Sequence, residues 1–163
     1  QEIQLKFGMG SPELYTTELE HFIGLDNTLY GSYSGIKYRQ SSEDISIYGF
    51  NLGWREYLSQ DFGPFQGWFW GVGVLNRTIT VSEENLVIEG LPTSLQLDVN
   101  GKLWVLFVEM GYNVRFGSWI LGTTVGLGYG KPDLDFSIGD ASLLDFEIPN
   151  FWPMFRVHLG YTF

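Results

Sequence analysis

The chain has no cysteine, and its 163 residues include only nine lysines and arginines against nineteen aspartates and glutamates. Without Cys there is neither a disulfide scaffold nor a thiolate metal site. A net charge of −10 does not suit neutralisation of a phosphate backbone, so a nucleic-acid-binding protein is excluded as well. Charged residues of both signs are scarce, at 17%, yet no run approaches the ~18 apolar residues of a membrane helix. Helical periodicity is nearly absent. What is plentiful is aromatic residues, also 17%, and glycine, with 21. That aromatic load is incompatible with disorder, and the length fits a single domain, residues 1–163.

Alternation of period two dominates, broken by turn residues every ten to fifteen positions, and it marks strands. Eight candidates follow, at about 2–9, 14–24, 29–39, 45–58, 65–81, 101–115, 119–131 and 151–163. Connections at 25–27, 59–64 and 116–118 are short, and two others, 82–100 and 132–150, are long and acidic. Short and long connections therefore gather at opposite ends of the array. Within 119–131 one parity reads Trp119, Leu121, Thr123, Val125, Leu127, Tyr129, and the other Ile120, Gly122, Thr124, Gly126, Gly128, Gly130. The last strand sets Phe151, Phe155, Val157, Leu159, Tyr161 and Phe163 against Trp152, Met154, Arg156, His158, Gly160 and Thr162.

A soluble β-barrel would turn its apolar face inward and a charged face to water, whereas a membrane barrel does the reverse. Glycine decides. A water-facing surface would be rich in Lys, Glu and Thr, whereas Gly122, Gly126, Gly128 and Gly130 suit the crowded interior of a narrow eight-strand barrel. The aromatics agree, forming two belts at the ends of the apolar strands. Tyr30, Trp54, Trp68, Trp70, Phe116, Trp119 and Tyr161 lie toward the short turns; Tyr15, Tyr38, Tyr48, Trp104, Tyr129 and Phe151 lie toward the long loops. Membrane–water interfaces select such belts. The expected fold is all-β: a closed, antiparallel, up-and-down transmembrane barrel of eight strands.

The chain as a whole resembles the small bacterial outer-membrane β-barrels of the OmpA, OmpX and OmpW type, most specifically in its terminus, Val157-His158-Leu159-Gly160-Tyr161-Thr162-Phe163. Alternation ending in an aromatic, with Tyr161 and Phe163 as its last apolar residues, is similar to the signal read by the barrel-assembly machinery. The resemblance implies an outer-membrane location, periplasmic termini, a signal peptide already removed before Gln1, and surface loops at 10–13, 40–44, 82–100 and 132–150. It also implies contact with outer-membrane lipid and lipopolysaccharide.

Charge placement gives the remaining expectations. Lys6, Lys37, Arg39, Arg55, Arg77, Arg115 and Arg156 take the lumen parity, as do Glu2, Glu18, Glu20, Glu109 and His158. Unpaired charge in a narrow lumen is costly, so these groups are expected to pair across strands, with Arg156 meeting Glu18 or Glu20, and to plug the pore. An ion-selective constriction is the alternative reading. The long segments carry Glu83, Glu84, Glu89, Asp98 and Asp133, Asp135, Asp140, Asp145, Glu147, with no basic residue. Their alternating apolar residues suggest strands continuing above the membrane, with an edge open to a protein partner by strand addition. Asp133-x-Asp135 begins like a calcium loop but fails at Ser137, Ile138 and Leu144, so no metal site is assigned, and no cofactor. Hydrolysis would need a Ser beside His21 or His158. His158 has none at a suitable spacing, while His21 has Ser32 and Ser34 as candidates across the hairpin. No catalytic residue is assigned. The sequence therefore reads as a non-enzymatic outer-membrane barrel for surface interaction, partner binding or structural support. A conduit for ions or small hydrophobic molecules is the alternative, and a lipid A-modifying enzyme a distant one.

Overall fold

The computed structural model describes residues 2–11, 15–40, 43–58, 63–86, 95–138, 141–143 and 150–163. Every regular element among them is a strand: β1 (Ile3–Ser11), β2 (Thr16–Phe22), β3 (Asn27–Gln40), β4 (Glu43–Tyr57), β5 (Gly67–Leu86), β6 (Leu95–Phe116), β7 (Trp119–Tyr129), β8 (Pro132–Ile138), β9 (Ala141–Leu143) and β10 (Phe151–Thr162). Each strand pairs antiparallel with its neighbours. The pairing runs β1 through β7 in sequence, and β10 joins β7 to β1, which closes an eight-strand barrel. Below its midpoint β6 pairs with β7 (Leu106↔Tyr129), and above it with β8 (Leu103↔Pro132). The two pairings share one register, so β8 continues the line of β7. β9 then folds back beside β8.

Lipid spans need only about 9–11 residues per strand. The 11-residue β7 meets that length, whereas β5 has 20 residues and β6 has 22. The upper parts of β3, β4, β5 and β6, with β8 and β9, thus form a raised wall on one side of the mouth. Segment 82–100, expected as a surface extension with strands continuing above the membrane, is strand over its described residues 82–86 and 95–100: Val81↔Val99 and Ser82↔Asp98 continue the β5–β6 ladder, and the Ser82 Oγ donates to Asp98 Oδ1 at 2.6 Å. The ends of the barrel also match the expected polarity of connections. The turn end carries Gly117 at φ 66 between β6 and β7, and the Phe163 N–H donates to the Ile3 carbonyl at 3.0 Å.

Outward residues are large, apolar and uncovered: Leu106 is 69% exposed, Tyr129 58% and Trp119 52%. Inward positions hold buried polar and charged groups, among them Gln4, Lys6, Glu18, Glu20, Asn51, Arg55, Asn113 and Arg156. Water on the outside would make that distribution strongly unfavourable, because apolar area would stay wet while ions were buried. Lipid on the outside reverses the balance. Ring pairs at both ends, Trp54–Trp70, Trp68–Tyr112 and Trp119–Tyr161 below and Tyr129–Phe151 and Phe50–Trp104 above, mark the two interfaces.

One strand departs from the expected phase. Alternation places Tyr30 in the outer belt, but it points inward and is buried. The alternation within β3 is ambiguous, because Tyr30, Tyr33 and Tyr38 cannot all share one parity. Pairing to β2 decides it: Tyr30 lies opposite Glu20 and Ser32 opposite Glu18, so burying the two carboxylates turns Tyr30 inside and Tyr33 out. Lys37 and Arg39 are consequently outside rather than in the lumen, and Tyr38 takes an inward register position opposite Ile45.

Candidate functional site

The lumen is filled in three layers. In the middle, five strands bring together three cations and three carboxylates: Lys6, Arg55 and Arg156 with Glu18, Glu20 and Glu109. Arg55 is the hub. Its Nε donates to Glu109 Oε1 at 2.7 Å, its Nη1 to Glu18 Oε1 at 2.5 Å and Glu20 Oε2 at 2.9 Å, and its Nη2 to Glu18 Oε2 at 3.1 Å. The guanidinium also lies over the Tyr30 ring, 3.7 Å from its centroid. Arg156 Nη1 donates to Glu18 Oε2 at 2.6 Å, and its Nη2 sits 3.5 Å from Glu109 Oε2. Lys6 pairs with Glu20 and, at 3.1 Å, with Glu18. The Thr28 and Tyr57 hydroxyls both donate to Glu20 Oε1, at 2.5 and 3.1 Å. With equal numbers of each sign, and every carboxylate oxygen hydrogen-bonded except Glu109 Oε2, which has Arg156 at 3.5 Å, the cluster approaches the condition under which buried ions persist.

Apolar layers close the lumen on both sides. Toward the turn end Tyr57, Phe65, Phe69 and Ile120 pack together with Phe22 against them. Phe65 reaches this place from the turn before β5, in a left-handed conformation with φ 58, and its carbonyl accepts from Asn113 Nδ2 at 3.0 Å. Such a φ costs a bulky residue on the order of 1–3 kcal/mol, and the fully buried ring offsets it. Toward the mouth Tyr30, Leu75, Leu103, Val105, Phe107 and Met154 form the second layer. The inner glycines make room for these rings. A Cβ at Gly53 would stand 2.5 Å from the Tyr30 ring, one at Gly73 2.5 Å from Phe107, and one at Gly111 2.3 Å from Phe69.

Parity predicts the ionic layer but not the apolar ones. The six ions of the middle layer all belong to the expected lumen set. His158 also lies in the lumen, but beside Asn113, with Nε2 3.0 Å from Asn113 Oδ1, rather than on a carboxylate. Arg115 falls outside the central cluster. It sits at the turn-end rim, where its Nε donates to the Gly117 carbonyl at 2.8 Å and its Nη1 lies 3.3 Å from Glu2 Oε2. Arg77 faces inward and donates to the carbonyls of Asn76 and Phe50. The apolar layers were missed, because Phe65 belongs to a turn and Phe69 and Phe107 break the rule that inward residues are small. The glycines opposite them become a signal only when register is known.

At the mouth, Asp133 and Asp135 are exposed on β8, and Glu83 and Glu84 lie at the upper end of β5. Glu89, Asp140, Asp145 and Glu147 lie outside the described residues. No group of three or more metal-ligating side chains is found among the described residues. The candidate hydrolytic pairing of His21 fails on register: His21 faces Ile3 and Leu29, whereas Ser32 and Ser34 turn inward opposite Glu18 and Thr16.

No protein-family model matches the chain, and no curated protein matches it. Solved structures do. CarO of Acinetobacter baumannii aligns with a TM-score of 0.58 at 12% identity, covering 98% of this chain and 97% of CarO. CarO2 of the same organism gives 0.59 at 14%, covering 99% and 98%. The chain folds as a small outer-membrane β-barrel. The N-terminal β-barrel domain of Pseudomonas aeruginosa OprF is also similar, with a TM-score of 0.47 at 14% identity over 99% of this chain and 96% of the domain.

Proposed function

We propose that this barrel is a closed, non-enzymatic outer-membrane protein that acts through its raised wall, as a surface-interaction or structural element. The observation that carries the reading is the continuation of β5, β6 and β8 well past the upper aromatic belt, while the lumen beneath is filled in three layers. Aromatic packing and cross-lumen ion pairs hold the barrel without help from the wall, so its extra strand length serves something other than stability. Exposed Asp133 and Asp135 on that wall favour a basic partner and oppose pairing of like copies. The wall's upper strand edges supply backbone groups for strand addition.

Deleting the upper wall, residues 79–86 with 95–101 and 132–143, and rejoining the strands with short turns is the test. The shortened barrel is expected to fold with normal heat-modifiable mobility and to lose binding of surface partners to intact cells. Loss of the fold, or retention of all binding, would refute this reading. Planar-bilayer recording separates it from the conduit alternative, since a filled lumen passes no steady current.

A further inference from the structure

The turn end of the barrel holds a pocket of about 360 Å³ beneath the lower apolar layer. Three pieces of chain frame it: Glu2 just before β1, the β2–β3 turn with Gly24, Leu25 and Asp26, and the β4–β5 turn with Gly63 and Pro64. Its floor is the underside of the apolar layer, Phe22, Tyr57 and Phe65. Phe22 packs on both others, with ring centroids 4.5 Å from Phe65 and 5.9 Å from Tyr57, and it alone of the three is half-buried rather than buried. Hydrogen bonds hold this frame. The Ile23 N–H donates to the Asn27 carbonyl at 2.9 Å and closes the β2–β3 turn, and the Tyr57 N–H donates to the Asp26 carbonyl at 2.9 Å, tying that turn to β4. Arg115 Nη1 donates to the Pro64 carbonyl at 3.3 Å and holds the other turn. Gly24 and Gly63 put no side chain over the opening, and a Cβ on either would meet nothing closer than 3.5 Å.

Two features of the pocket are unanswered among the described residues. Leu25 is 90% exposed, the most exposed of their large apolar side chains, and it stands on the turn beside the pocket. Asp26 is half-buried, and its carboxylate has no hydrogen-bond or ion-pair partner among them. Glu2 is different, because Arg115 Nη1 lies 3.3 Å from its Oε2. Arg115 is engaged in turn, with Nε donating to the Gly117 carbonyl at 2.8 Å. No other basic residue lies at the turn end. Lys6, Arg55 and Arg156 are buried in the lumen cluster, and Lys37, Arg39, Arg77, Lys102 and Lys131 lie toward the mouth. A lone carboxylate beside an aromatic floor and an uncovered leucine is complementary to a guanidinium with an apolar neighbour. The planar fork pairs with a carboxylate and stacks on a ring, whereas a lysine ammonium offers only a point charge.

We propose that this pocket is a docking socket for an arginine side chain on an extended segment of a periplasmic protein. The guanidinium pairs with Asp26 and stacks on Phe22, and an apolar residue next to it in the segment covers Leu25. At about 360 Å³ the pocket is near the lower end of the usual range for ligand sites, about 300–1,000 Å³, which suits one anchoring side chain. Arginine anchors seated in pockets carry a large share of the binding energy of many interfaces. The assignment rests on the turn end facing the periplasm, and it is independent of the raised wall and its partner.

Fluorescence anisotropy tests it, with a fluorescein-labelled peptide of central sequence Leu-Arg-Leu flanked by Gly and Ser, titrated with the full chain in non-ionic detergent micelles. The native chain should bind this peptide, hold a Leu-Lys-Leu version about threefold or more less tightly, and not bind a Leu-Glu-Leu version. Asp26→Asn should weaken the arginine peptide about tenfold. Gly24→Phe, which fills the pocket and keeps both carboxylates, should weaken it as much, with heat-modifiable mobility unaltered in both variants. Asp133→Asn, which removes one charge at the opposite end, should change nothing. No binding of the arginine peptide by the native chain, binding unchanged in Asp26→Asn and Gly24→Phe, or equal weakening by Asp133→Asn would overturn the socket. In cells, Leu25→Cys should react with an impermeant maleimide only after the outer membrane is permeabilised, and the arginine peptide should protect it. Reaction from outside intact cells refutes the periplasmic placement alone, whereas failure of the titration refutes the socket itself.

Discussion

Replacing Arg55 by Ala removes the group that touches every carboxylate of the lumen cluster. Glu18 keeps Lys6 and Arg156, and Glu20 keeps Lys6, but Glu109 is left with only Arg156 at 3.5 Å. Three buried carboxylates then face two cations. Breaking a buried pair from one side costs about 3–5 kcal/mol, because a charge is stranded away from water. Loss of the guanidinium stacked on Tyr30 adds about 1 kcal/mol or more. Total loss should therefore be about 4–6 kcal/mol, a large part of the stability of a domain this size. Arg55→Met/Glu109→Gln restores the charge balance, with two cations and two carboxylates, and fills most of the volume. It should recover at least half of the loss, because apolar or neutral replacement of a whole ion pair is often nearly neutral. Reversible urea unfolding in lipid vesicles, followed by tryptophan fluorescence, measures both. A loss below about 1 kcal/mol for Arg55→Ala would refute the buried-cluster account, as would a double variant no more stable than the single one.

Packing, orientation and assembly yield three more expectations. Gly73→Ala should cost about 1–3 kcal/mol, since its Cβ would lie 2.6 Å from the Leu52 carbonyl oxygen as well as 2.5 Å from Phe107, whereas Gly31→Ala, with its nearest neighbour at 3.5 Å, should be nearly neutral in the same assay. Single cysteines at Asp133 and Asp135 should react with an impermeant maleimide on intact cells, and cysteines at Leu25 and Gly117 should not; the opposite pattern would invert the topology. Phe163 is 71% exposed and stacks on Tyr161, at 5.1 Å between ring centroids, so deleting it should leave refolding in detergent unchanged and lower barrel assembly in cells, as quantitative outer-membrane fractionation would show.

The membrane architecture was legible because two constraints act on every strand together. Alternation separates the faces, and the small or charged parity of 119–131 and 151–163 can only be the inside. Legibility failed where side chains satisfy neither rule alone. In β3, tyrosines on both parities left the phase open until Glu18 and Glu20 on the neighbouring strand fixed it. The ions of the lumen could be gathered by parity, but parity says nothing of depth, so Arg115 was grouped with residues nearer the middle of the barrel. Phe65 carries no strand signal, and its burial comes from a turn conformation that sequence patterning does not encode. The raised wall was visible as alternation in Leu95, Leu97 and Val99, which the structure pairs with Leu86, Glu83 and Val81.

The central claim is that the large apolar parity faces lipid and the small and charged parity faces a filled interior. A nitroxide scan along β7, one position at a time from Trp119 to Tyr129 in lipid vesicles, tests it most directly by collision with oxygen, which concentrates in the hydrocarbon. The account predicts an alternation of period two, with high oxygen accessibility and mobile spectra at 121, 123, 125 and 127 and low accessibility with immobilised spectra at 120, 122, 124 and 126. An alternation of opposite phase, or none, would contradict it.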